Sequence, residues 1–140
     1  KAELDSQMDQ QEHKHLYAIY SGQKLYLLTL KNKNLLNSLP QGRSVFWNQL
    51  DVAVLQSMIL EKYLDIGFEE VASGDYLKYT RDNAEVFKEV DNGNYQIGIF
   101  INPTLIEEVI LVASQGEKMP QKSTYFYPKL ITGLVINDLT

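Results

Sequence analysis

The chain has 140 residues, with 18 acidic and 13 basic side chains and a formal net charge of −5. That length fits about one domain, and the acidic balance argues against a dedicated nucleic-acid binder, which shows a basic excess or stripe. Cysteine is absent, which excludes disulfides, zinc–thiolate sites and a cysteine nucleophile, and no apolar run approaches the length needed to span a membrane.

In chain order, residues 1–14 are polar and read as a tail or linker, and residues 15–140 as a single α+β domain. The chain begins at Lys1, which reads as a piece of a longer protein or as a processed chain. Residues 15–20 and 24–30 are strand-like runs, and Ser21-Gly22-Gln23 between them has turn chemistry, so a β-hairpin is expected. Residues 31–44 are loop-like, with one helical turn around Leu35 and Leu36. Residues 47–64 carry Leu50, Val54, Leu55, Met58 and Ile59 at helical spacing, and Gly67 follows. Phe46 and Trp47, just ahead, read as core or as a contact patch.

Residues 76–79 form a candidate short strand. Residues 82–90 are expected to be a helix, capped by Asp82 with Glu85 completing a capping box. Residues 95–101 are mostly apolar, Gln96 and Gly98 excepted, and suit a central strand. Residues 104–113 read as a helix with Thr104 and Glu107 in the capping-box relation, and residues 131–136 as a last strand. The order ββαβαβαββ implies an α+β domain with a mixed, largely antiparallel sheet and about three packed helices.

The segment with most chemistry is residues 119–130, Met-Pro-Gln-Lys-Ser-Thr-Tyr-Phe-Tyr-Pro-Lys-Leu. As an extended ribbon it alternates faces. Ser123, Tyr125, Tyr127 and Lys129 then share one face, and Phe126 and Pro128 the other. Hydroxyls flanked by ammonium groups suit an anionic ligand. An amphipathic edge strand meeting water explains the same pattern.

Residues 116–123 nearly match a phosphate-binding loop, G-x-x-x-x-G-K-[ST]. Gln121 replaces the second glycine, Pro120 removes a backbone donor, and the segment runs from helix to strand rather than strand to helix, so that architecture is not expected. Arg81 precedes a helix N-terminus that favours anions, although a capping Asp82 competes for the same N–H groups. His13 and His15, spaced i, i+2, lack a third ligand and read as a solvated pair, with no Ser or Asp partner in view. Glu69-Glu70 and Glu107-Glu108 read as solvated faces.

Residues 119–130 with Thr132-Gly133-Leu134-Val135-Ile136 closely resemble the C-terminal signature of domain-of-unknown-function family 1015. Leu50-Asp51-Val52, Tyr79-Thr80-Arg81-Asp82 and Phe100-Ile101-Asn102-Pro103-Thr104 resemble other parts of it, in the family's order across roughly residues 15–138. The resemblance implies the C-terminal portion of a longer cytoplasmic protein. Its central part would carry an Asp-Gly-His-His-Arg-like motif akin to ParB-type and sulfiredoxin-type domains, and some members are ATP-dependent kinases of free serine. His13-Lys14-His15 does not substitute for that motif, so the missing N-terminal half is the implied partner. ATP with Mg belongs to the full-length protein, and no cofactor or metal is expected in this chain, which alone is expected to be catalytically inactive.

Two readings follow. In one, Lys122, Ser123, Thr124, Tyr125, Tyr127 and Lys129, with Arg81 and Asn102 outlying, bind a small anionic or phosphorylated ligand. In the other, the aromatic ribbon docks the missing half or a second copy in a homodimer. Neither nucleic acid nor membrane is an expected partner.

Overall fold

The computed structural model describes residues 15–39 and 42–124. The architecture is α+β. Three antiparallel strands, β1 (Leu16–Ser21), β2 (Lys24–Thr29) and β3 (Gly98–Ile101), stand in the order β2-β1-β3. The hairpin forms where its turn residues place it, with Ser21 opposite Lys24 and Leu16 opposite Thr29. Gly22 and Gln23 both take positive φ, at 53° and 70°, as a two-residue hairpin turn requires.

Among the described strands, β1 and not the strand expected from residues 95–101 stands at the centre. Among them β3 pairs only with β1, Tyr17 opposite Ile101 and Tyr20 opposite Gly98. Leu16, Tyr17, Ala18 and Tyr20 are buried, because helices cover both faces of β1. Tyr17 packs with Leu39, Val54 and Met58 on one side, and Ala18 and Tyr20 with Val90 and Phe100 on the other.

A 3-10 helix (Lys33–Ser38) follows the hairpin, and then the short helix α1 (Val45–Asn48), capped by the Ser44 hydroxyl, which accepts from Trp47 N at 3.1 Å. The single helix expected from residue 47 is therefore interrupted near Leu50, whose extended backbone (ψ 134°) breaks the run. The main helix α2 covers residues 51–64. It is α-helical over Asp51–Val54, π-helical over Leu55–Glu61 and α-helical again over Lys62–Leu64. Leu50, Val54 and Met58 are buried as their spacing predicts.

Helix α3 (Phe68–Ser73) occupies a region whose sequence is irregular, started by Gly67, whose N–H donates to the Glu70 carboxylate at 3.0 Å. One of the two glutamates expected to be merely solvated is thus a helix starter. Residues 76–79 form no strand.

Helix α4 (Asn83–Asp91) is capped by Asp82, which accepts from Ala84 N at 2.9 Å. Glu85 does not close a capping box; its carboxylate is taken by the Thr80 hydroxyl and Lys78 instead. Helix α5 (Ile106–Ser114) starts two residues later than expected. Glu108, not Glu107, turns back to accept from Leu105 N at 3.0 Å, because the Thr104 hydroxyl donates across the fold to the Ser123 carbonyl at 2.9 Å. The strand expected at residues 131–136 lies outside the described residues. Among the described residues no helix is long and apolar enough to cross a membrane.

Candidate functional site

A cleft of about 840 Å³ opens beside β3. Its apolar walls include Leu55 and Leu60 of α2, Val86 and Val90 of α4, and Ile99 and Ile101 of β3. The π segment of α2 contributes to this wall. A π turn takes more residues than an α turn, which rotates the helix face, so Leu55, Gln56 and Leu60 line the cleft while Val54 and Met58 stay in the core.

The cleft gathers side chains that the sequence keeps far apart. Tyr79, Thr80 and Arg81 come from the loop before α4, Arg43 and Trp47 from the start of α1, and Lys118, Lys122 and Thr124 from the segment after α5. Among the described residues, its lining carries five cations (Arg43, Lys78, Arg81, Lys118, Lys122) and two carboxylates (Glu85, Glu89). This local positive excess sits in a chain of formal net charge −5. A concave surface with low-dielectric walls focuses such a field on a ligand.

Both carboxylates are occupied. Lys78 Nζ bridges Glu85 at 2.9 Å and Glu89 at 3.2 Å. Hydrogen bonds from Thr80 and Lys78 hold the Glu85 carboxyl below its ordinary value, and those from Asn94 and Lys78 do the same for Glu89. The two acids in turn raise the Lys78 ammonium. Partial burial raises the Tyr79 phenol.

The segment carrying Lys118 and Lys122 is fixed at several points. Ser44 N donates to the Glu117 carboxylate at 3.0 Å, and hydrogen bonding from Ser44, its side chain first and then its backbone, lowers that carboxyl, with Arg43 nearby adding to the effect. Trp47 Nε1 donates to the Lys118 carbonyl at 3.2 Å, and the Arg43 guanidinium lies 5.1 Å from the Trp47 ring centroid. The extended ribbon expected over residues 119–130 is interrupted at its start. Residues 120–123 form a turn, with Ser123 N and Ser123 Oγ both donating to the Pro120 carbonyl, at 3.4 and 2.6 Å. Pro120 opens that turn with its fixed φ. Lys122 sits inside it at φ 60°, a left-handed conformation that costs a non-glycine residue roughly 1–2 kcal/mol.

Of the residues singled out in the sequence, the cleft unites Arg81, Lys122 and Thr124. Ser123 and Asn102 are not among its walls, and the Ser123 hydroxyl donates within its own turn. Tyr125, Tyr127 and Lys129 lie outside the described residues. Sequence reasoning passed over Lys118, Arg43 and Gln56, which no local motif marks.

His15 departs from its expected solvated state. It is 2% exposed, its backbone N–H donates to Asp51 Oδ1 at 2.7 Å, and its Nδ1 lies 3.0 Å from the same oxygen. Tyr17 Oη donates to the Asp51 carbonyl at 2.8 Å. Burial, then the nearby Asp51 carboxylate, push the Tyr17 phenol far above its ordinary value. This cluster joins the start of β1 to the start of α2. No group of three or more metal-ligating side chains occurs among the described residues.

Comparison with protein-family models, with curated proteins and with solved structures finds no match to this chain.

Proposed function

We propose that the cleft beside β3 holds the anionic part of a phosphorylated small molecule. In this reading the chain supplies the charge-neutralising side of a phosphoryl-transfer site completed by polypeptide outside it. The observation that carries the reading is the local positive excess, five cations against two carboxylates, around one apolar-walled cleft in an acidic chain. Phosphoryl transfer depends mainly on positioning and on neutralising charge, which such a rim provides. The resemblance to family 1015, with its serine kinases, points the same way and names free serine as the acceptor to test first.

The backbone of Lys122 adds support. Glycine fits φ 60° without cost, so a lysine at that position is explained by what its side chain does. That gives a clean experiment, titration of pyrophosphate into the purified chain by calorimetry at low salt. Lys122→Gly relieves the backbone and removes the ammonium, so it is expected to raise the melting temperature and weaken pyrophosphate binding together. Losing one charge-assisted contact of about 1.5–3 kcal/mol weakens binding roughly tenfold to a hundredfold. Arg81→Ala is expected to weaken it as well. Undetectable binding by the wild type, or binding unchanged in Lys122→Gly, would remove the reading.

A further inference from the structure

The cleft is much larger than the anion assigned to it. Its volume of about 840 Å³ lies toward the upper end for pockets that enclose a medium-sized organic ligand. A phosphate on a short polar body would leave most of that space as water against aliphatic walls. Among the described residues lining the cleft, twelve are valine, leucine or isoleucine, and only five carry a neutral amide or aliphatic hydroxyl: Gln56, Thr80, Gln96, Gln121 and Thr124. The Thr80 hydroxyl is already taken by Glu85. A hydroxyl-rich body would therefore give up its water for few partners, which costs free energy, whereas an apolar body gains by leaving water.

The walls are also wet. Leu64, Tyr76, Tyr79 and Ile101 all line the cleft, and all are 37–60% exposed. Single exposed apolar residues need no explanation. Gathered in one concavity beside a few polar groups, they have the make-up of a small-molecule site. Charge and apolar surface come from different parts of the fold. Lys78 is held by Glu85 and Glu89. Of the other cations, Arg43, Lys118 and Lys122 come from the start of α1 and the segment after α5, which the Trp47–Lys118 hydrogen bond joins, while the aliphatic walls come mainly from α2, α4 and β3. We propose that the ligand of the cleft is an amphiphile, a phosphate monoester whose head meets those three cations and whose aliphatic chain lies against the walls. This inference rests on the phosphate reading and adds the body of the ligand to it.

Calorimetry with butyl, hexyl and octyl phosphate, each below its micellar concentration, tests this beside pyrophosphate, O-phosphoserine and octanol. Affinity is expected to rise by about twofold or more for each added methylene, against a ceiling of roughly fourfold for full burial. Octyl phosphate is expected to bind more tightly than both O-phosphoserine and octanol. Leu64→Asn changes an exposed position, so its melting temperature is expected to stay close to wild type, and it is expected to weaken octyl phosphate about threefold more than it weakens pyrophosphate. Equal affinity along the alkyl series, or O-phosphoserine binding more tightly than octyl phosphate, would overturn the aliphatic body while pyrophosphate binding keeps the phosphate reading. Octanol binding as well as octyl phosphate, or no phosphate binding at all, would remove both. Cosedimentation with phosphatidic-acid vesicles separates a membrane lipid from a soluble ligand. The chain is expected to stay in the supernatant, and vesicle binding without binding of monomeric octyl phosphate would overturn the proposal.

Discussion

Gly98 sits where β3 meets α4, and replacing it with alanine tests that packing directly. A Cβ at this position would lie 2.2 Å from Val86 Cγ1 and 3.6 Å from Val90 Cγ2. Carbon atoms rest about 3.5–4.0 Å apart, so one group must retreat by more than an ångström. Val86 is β-branched and stiff at χ1, and its helix has little room to move. Tyr20 Oη donates to Asp91 Oδ1 at 2.6 Å, and the Phe87 ring packs 4.8 Å from Tyr20 and 5.3 Å from Phe100. Overpacking of this kind costs about 1–3 kcal/mol. Removing a glycine from the unfolded chain returns about 0.4–1 kcal/mol, which leaves Gly98→Ala destabilised by roughly 1–2 kcal/mol. In urea melts Val86→Ala alone is expected to cost about 1 kcal/mol for a half-buried valine. The double variant is expected to be no worse than Val86→Ala, a coupling of about 1 kcal/mol or more. Gly98→Ala as stable as wild type, or additive costs in the double variant, would refute the close approach of β3 to α4.

Asp51→Ala strips the acceptor from the buried His15 N–H and is expected to cost about 1–3 kcal/mol in urea melts; Asp51→Asn, which keeps an oxygen there, is expected to lose less. On the acid side, the folded-state pKa values of Glu85 and Glu89 lie below their ordinary ones. Their contribution is therefore complete above the unfolded pKa and is lost as pH falls through the folded values. Melting temperatures measured from neutral pH downward are expected to show that loss beginning below about pH 4.5, and Lys78→Met to reduce it.

How much of this was legible in the sequence depended on whether the cause was local. The hairpin, the Asp82 cap and the buried face of α2 follow from turn chemistry, a side chain two residues from its N–H, and helical spacing, all inside one window. Thr104 has the right neighbours for a capping box, but its hydroxyl bonds a carbonyl 19 residues away. Glu85 is drawn off in the same way by Thr80 and Lys78. His15 looked solvated because its partner, Asp51, lies 36 residues on. The π segment was hidden because seven residues are too short a window to fix the period of an apolar pattern. The cleft itself was invisible, since residues 43, 81 and 122 meet only after the sheet has formed.

The segment after α5 shows why the cations of the cleft are more than a surface accident. Solvated lysines on a loose loop lose rotamer and backbone entropy when they close on a ligand. Here the backbone that carries two of them is already ordered. Glu117 is tied to Ser44, the Lys118 carbonyl to the Trp47 indole, and the Ser123 carbonyl to Thr104, so tethers stand on both sides of Lys122. Its left-handed backbone is held between them, and the strain is carried by the tethers rather than by a ligand. Cutting one tether therefore separates position from charge. Thr104→Val keeps every cation, so weaker pyrophosphate binding in that variant would trace to the geometry of the turn alone.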